Sequence, residues 1–150
     1  MSRSRRPQGV NAKEAGYTLT EMLVVIGVIA LIAAVLTPGL MQQMSRARYK
    51  AAQLQLETVA SDIELFRGDV GRYPTKDEGL QALLKEPAGV EGWAGPYAKD
   101  ARLINDPWGR PILYEPDPTG RTFHVESLGA TGKAGGTGTD RAIRYPSDGS

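Results

Sequence analysis

No charged side chain occurs between Glu21 and Arg46, and residues 22–36 within that stretch read Met-Leu-Val-Val-Ile-Gly-Val-Ile-Ala-Leu-Ile-Ala-Ala-Val-Leu. The uncharged run is 24 residues long. That is roughly 36 Å of helix at about 1.5 Å per residue, enough to cross a bilayer. A soluble protein hides a helix that is apolar on every side only by surrounding it, and the remaining chain is too short to do so. Pro38 removes one backbone hydrogen bond and collides with the carbonyl of Ala34. This predicts a kink or a locally unwound turn, with Gly39 beside it, or else the end of the membrane span.

Beyond Arg46 the pattern becomes amphipathic. Ala52, Leu56, Val59, Ile63, Phe66 and Val70 recur at alternating gaps of 4 and 3, which is one helical face. Arg46, Arg48, Lys50, Glu57, Asp62, Glu64 and Arg67 mostly occupy the others. The helix therefore continues into a water-soluble half and stops near Gly68 and Gly71.

The composition then shifts, with 14 Gly and 8 Pro in the last 83 residues, so short elements joined by loops are expected. Thr75 followed by Glu78 makes a capping box, and Leu80, Leu83 and Leu84 supply a short apolar face. Trp93, Pro96 and Tyr97 anchor the Pro/Gly-rich loop after it. Asp106-Pro-Trp-Gly-Arg-Pro111 predicts a tight turn packed on an indole. Residues 112–115 and 121–127 read as two antiparallel strands joined through 116–120, with a third short strand at 141–145. The fold class is α+β, a long helix packed on a small antiparallel sheet. The expected divisions are a leader at 1–16, a transmembrane and assembly helix at 17–45, the soluble half of the helix at 46–70, and a globular head at 71–150.

Charge adds an orientation. Arg3, Arg5, Arg6 and Lys13 against Glu14 give the first sixteen residues +3, while the rest carries 14 basic against 16 acidic side chains. A basic head before an apolar span stays on the cytoplasmic side. The slightly acidic body lacks the broad cationic face of a nucleic-acid binder, so nucleic acid is excluded as a partner. The absence of cysteine excludes disulfides, thiolate zinc sites and a Cys nucleophile. His124 alternates with Phe123 and Val125 and reads as a strand residue rather than a general base. No Ser/His/Asp spacing or phosphate loop appears, and Gly135-Gly-Thr-Gly138 lies outside any strand-to-helix turn. The chain is read as a structural protein and not an enzyme.

An ordinary secretory signal explains the basic head and the apolar run but is cut after its apolar region. Here Gly16-Tyr17-Thr-Leu-Thr-Glu21 precedes it, and a carboxylate opens the apolar helix. An ionised carboxylate in a membrane span costs about 2.5–3.5 kcal/mol at mid-bilayer, so it needs a partner. Cleavage between Gly16 and Tyr17 would give Tyr17 a free α-amino group, able to meet Glu21 of an adjacent subunit. Such a pair acts more as a register device than as a source of net stability.

Lys13-Glu-Ala-Gly16 followed by Tyr17-Thr-Leu-Thr-Glu21-Met-Leu-Val-Val-Ile26 resembles the class III signal of type IV pilins and pseudopilins. The resemblance implies a pilin-like fold, with cleavage after Gly16 by a prepilin peptidase and N-methylation of Tyr17. Tyr17 stands where Phe is usual, and Thr20 where an aliphatic residue is usual. Val70-Gly-Arg-Tyr-Pro-Thr75, Glu78-Gly-Leu-Gln-Ala-Leu83, Gly95-Pro-Tyr97, Asp106-Pro-Trp-Gly109 and Ser127-Leu-Gly-Ala130 narrow the likeness. In this order they are similar to the major pseudopilin family of type II secretion systems, general secretion pathway protein G. Major type IV pilins usually carry a cysteine pair in the head, which this chain lacks.

This likeness implies a subunit that forms a helical homopolymer, the pseudopilus, and drives export of folded exoproteins. Its implied partners are further copies of itself, minor pseudopilins, the prepilin peptidase and an inner-membrane assembly platform. The implied location is the inner membrane of a Gram-negative bacterium, crossed once, with the head in the periplasm; Gly16, Tyr17, Glu21 and Pro38 are the processing and assembly residues. Two other readings remain: a type IV pilin or competence pseudopilin for adhesion, motility or DNA uptake, and a single-span envelope protein whose head binds a ligand.

The family also implies a calcium ion in the loop after Ser127-Leu-Gly-Ala130. Calcium takes six to eight oxygens, and a Gly-rich loop can turn carbonyls inward. The best ligands here are the Leu128 carbonyl, Thr131 and Asp140. The chain departs from the family at Thr131, where Asp is expected, and retains only Asp140 of the later acidic cluster. A metal-free loop held by backbone hydrogen bonds is the alternative.

Overall fold

The computed structural model describes residues 17–146. Helix α1 is Leu19–Val70, and strands β1, β2 and β3 are Leu113–Pro116, Phe123–Ser127 and Ile143–Tyr145. Three short 3-10 helices lie at Gly79–Leu83, Ala101–Ile104 and Gly138–Asp140. The chain divides into two compact units, Met1–Leu40 and Met41–Ser150.

In the first unit, α1 is long and apolar enough to cross a membrane, with a mean hydropathy of 2.7 over its most apolar window and none of that window buried. Leu19, Leu23, Ile26, Leu31 and Val35 are each more than half exposed. Helical backbone continues through Pro38, so this proline does not end the helix.

In the second unit the remainder of α1 has one buried face. Ala52, Leu56, Val59, Ile63 and Phe66 are at most 1% exposed, as the 3/4 spacing predicts. Val70, the last residue of that stripe, is only partly buried against the core. Gly71 at φ 82° donates its N–H to the Arg67 carbonyl at 2.8 Å, a left-handed stop that glycine adopts without Cβ strain.

The sheet runs β1-β2-β3, antiparallel throughout. Leu113 faces Glu126 and Pro116 faces Phe123 across β1 and β2, while Val125 faces Tyr145 and Ser127 faces Ile143 across β2 and β3. Along β2, Phe123, Val125 and Ser127 are buried and His124 and Glu126 half-buried, the period of two of a strand with one core face. Tyr73 meets Phe123 edge-on at 5.0 Å, and Phe66 meets Tyr97 at 5.7 Å. The Trp93 indole donates to the Ala82 carbonyl at 2.9 Å, and the Tyr97 hydroxyl to Asp69 at 2.9 Å, so both residues anchor their loop.

The Thr75 capping box forms in both directions. The Thr75 N–H donates to Glu78 Oε2 at 2.7 Å, and the Glu78 N–H to Thr75 Oγ1 at 3.2 Å. The turn that it opens, closed by the Gly79 N–H on the Thr75 carbonyl at 2.9 Å, leads into the five-residue 3-10 helix, where Leu80, Ala82 and Leu83 are buried.

Candidate functional site: the helix start and the C-terminal loop

Thr18 precedes the first helical residue and accepts a hydrogen bond from the Glu21 N–H on its Oγ1 at 3.1 Å. Its carbonyl accepts from the Met22 N–H at 3.2 Å. Thr18 is therefore the N-cap and Glu21 the third helical residue, an arrangement worth about 1 kcal/mol. The Thr-x-x-Glu spacing signals this cap as clearly as at Thr75, but at Thr18 it is embedded in a processing motif that explains the same residues in another way. Glu21 also lies near the positive end of the helix dipole, a favourable place for a carboxylate. It is exposed, and among the described residues its carboxylate has no ion-pair or hydrogen-bond partner. Tyr17, 77% exposed, stands just outside the helix. Gly16, the expected cleavage residue, and the leader lie outside the described residues.

The second region gathers the turn at Asp106, the end of β2 and the loop after it. Asp106 is 5% exposed and Ser127 fully buried. Asp106 Oδ1 accepts from the N–H groups of Trp108 at 3.0 Å and Arg110 at 2.9 Å. Asp106 Oδ2 accepts from Ser127 Oγ at 2.7 Å. Ser127 Oγ accepts in turn from the Gly129 N–H at 3.2 Å. Buried polar groups are tolerated when satisfied in this way. The turn is legible in the sequence; its bond to Ser127, 21 residues away, is not, because no local spacing encodes it.

The Leu128, Thr131 and Asp140 set is only partly gathered. Thr131 Oγ1 faces the Asp140 carbonyl at 3.5 Å, while both Thr131 and Asp140 are exposed and Leu128 is half-buried. Among the described residues no three His, Asp or Glu side chains are grouped to hold a metal. Arg141 Nε donates to the Tyr49 hydroxyl at 2.7 Å, and its guanidinium lies 5.7 Å from that ring's centre, which ties the far side of the loop to α1.

Glu78 is bound within the second unit. Two Arg72 nitrogens donate to its two oxygens at 2.7 Å each. Hydrogen bonding to Arg72, helped by the Thr75 N–H and opposed by burial, lowers its carboxyl from the ordinary 4.5 to about 2. The Tyr73 hydroxyl donates to Glu64 at 2.7 Å and accepts from Arg67 at 3.0 Å. Burial, then the Glu64 bond, raises the Tyr73 phenol. His124 is half-buried, and its Nδ1 is buried without a hydrogen-bond partner among the described residues.

Comparison with known proteins covers both regions. Residues 39–145 match the family model described as type II secretion system (T2SS), protein G, and residues 11–37 match the prokaryotic N-terminal methylation motif. The type II secretion system core protein G of Xanthomonas campestris pv. campestris is 37% identical over 134 residues, covering 89% of this chain and 91% of that protein. Its counterpart in Pseudomonas aeruginosa is 33% identical, covering 87% and 94%. The crystal structure of the major pseudopilin from the type 2 secretion system of enterohaemorrhagic Escherichia coli superposes with a TM-score of 0.53 at 26% identity, covering 72% of this chain and 94% of that one.

Proposed function

The chain belongs to the type II secretion system protein G family, and from that premise we propose that it is a major pseudopilin, the structural subunit that polymerises into the pseudopilus and drives export of folded proteins. The prepilin peptidase cuts between Gly16 and Tyr17, and Tyr17 is N-methylated. The apolar part of α1 crosses the inner membrane of a Gram-negative bacterium once, with the head in the periplasm. The assembly platform then moves subunits into a helical homopolymer that also takes minor pseudopilins. Its role is that of a structural subunit rather than an enzyme.

The observation that carries this reading is Glu21. It is an exposed carboxylate in the first turn of an apolar helix, and among the described residues it has no partner. A neighbouring copy of the processed chain offers a cation of matching chemistry, the α-amino group of Tyr17. Neutralising Glu21 by that amine removes the cost of a lone charge in lipid and fixes the axial register of one subunit against the next. Pro38 and Gly39 make the helix backbone easier to open as the subunit leaves the bilayer.

Mass spectrometry of the chain extracted from membranes tests the proposal. The expected species begins at N-methylated Tyr17, and replacing Gly16 leaves a larger, uncut precursor. A functional subunit that retains residues 1–16 overturns the reading. Loss of exoprotein release on deletion supports the secretion role, whereas loss of motility or DNA uptake with normal release assigns the chain to a different fibre.

A further inference from the structure

We propose that the guanidinium of Arg110 is the resident cation of loop 128–142, closing it in place of the calcium ion that the family resemblance implies. The residues present do not suit calcium. That ion takes six to eight oxygens, and its affinity follows the number of carboxylates around it. Asp140 is the only carboxylate in the loop and is exposed, while Lys133 and Arg141 make the segment net positive before Arg110 is considered.

Arg110 enters from the neighbouring turn. Its Nη2 donates to the Gly129 carbonyl, while its Nε is buried without a hydrogen-bond partner among the described residues and faces the Asp106 carboxylate at 3.9 Å, an ion-pair distance. A Cβ on Gly132 would lie 2.6 Å from Arg110 Nη1. Glycine thus leaves room for the guanidinium, and it also permits the φ of 67° found there. The fork thereby occupies the approach to the main chain of both Gly129 and Gly132.

These contacts close a circuit. The Gly129 N–H goes to Ser127 Oγ, Ser127 donates to Asp106, Asp106 accepts the Arg110 N–H, and the Arg110 side chain returns to the Gly129 carbonyl. The Asp106 N–H also donates to the Arg110 carbonyl at 2.7 Å, so the backbone beneath the guanidinium is held from both sides. Arginine suits this place because its charge is permanent and its planar donors point in fixed directions; lysine keeps the charge and loses the fork. The proposal rests on the loop's own contacts and not on the filament.

Hydrogen exchange on the full chain in detergent micelles tests it, read at loop 128–142 and, as an internal reference, at core residues 56–66. In the wild type, exchange in the loop is expected to be the same in millimolar calcium and in chelator. A severalfold gain of loop protection from calcium overturns the proposal, and this arm needs no substituted protein. Arg110→Lys is expected to speed loop exchange about tenfold with the core reference unchanged and no rescue by calcium. Loop exchange in Arg110→Lys equal to wild type overturns it. Changes in the loop are expected to leave N-terminal processing untouched, which mass spectrometry of the same variant reads separately, so failure here is separable from failure of the filament reading.

Discussion

Thr18 with Glu21 and Thr75 with Glu78 share one spacing, and in each pair the glutamate N–H donates to the threonine hydroxyl. The two carboxylates differ completely. Glu78 is saturated by Arg72 and the Thr75 N–H, all within the head. Glu21 has no partner among the described residues and opens the apolar stretch of α1, whose most apolar window buries nothing. The same contrast runs along α1, whose residues 52–66 bury one stripe while residues 19–36 expose apolar side chains throughout. A local motif therefore specifies where a turn begins, and only its surroundings decide whether the carboxylate finds a partner within the fold. The second unit, Met41–Ser150, holds the partners of Glu78 and the core on which α1 packs. Residues 19–36 instead expose a continuous apolar surface, long enough to cross a membrane.

The largest effect is expected at the unfinished end. Glu21→Ala is expected to leave processing at Gly16 intact and to reduce cross-linked filament ladders by about tenfold or more, as loss of an intersubunit charge pair in lipid implies. Head stability, measured by urea unfolding, should not change. Normal ladders would remove Glu21 from assembly and leave the two glutamates as equivalent caps.

The reverse experiment is Phe66→Ala. Phe66 is fully buried and meets Tyr97 edge-on. Truncation is expected to cost the head about 3–5 kcal/mol, read as a lower urea midpoint, while cleavage of the leader proceeds as in the wild type. A cleavage defect of the same size would mean that the helix start depends on the head, and the contrast between the two regions would fail.

Much of this division can be read along the chain. The buried face of α1, its stop at Gly71 and the three strands come from spacing and turn residues, because helix and strand periods are properties of neighbouring positions. The capping box at Thr75 is legible, but not that the element beyond it is a 3-10 helix. The box fixes where a turn begins and leaves the choice between i+3 and i+4 bonding to packing of Leu80 and Leu83. The same spacing at Thr18 carries an identical signal, hidden by the processing motif that shares its residues. The Asp106–Ser127–Gly129–Arg110 circuit has no signal at all. Its members are brought together by the sheet, and an arginine in a turn reads as solvated until a carbonyl is found beside it. Gln55 is a similar case: its amide reaches the carbonyls of Arg102 and Leu103, which lie 47 and 48 residues away.

The smallest effect sharpens the comparison from the finished side. Hydrogen bonding to Arg72 first, and to the Thr75 N–H, holds the Glu78 carboxyl at about 2, below its ordinary 4.5. A carboxylate depressed in the folded state contributes its full stability above the unfolded value and loses it as pH falls through the folded one. The contribution is thus complete above about pH 4.5 and declines toward pH 2. Allowing for solvent screening at the exposed Arg72, it amounts to about 1–2 kcal/mol. Urea unfolding across that window is expected to show the decline in wild type and a flatter profile in Glu78→Gln, which cannot ionise and forfeits the charge-assisted pair. Parallel profiles for the two proteins would show that Glu78 gains nothing from Arg72. The two glutamates would then differ in their contacts but not in what those contacts contribute to stability.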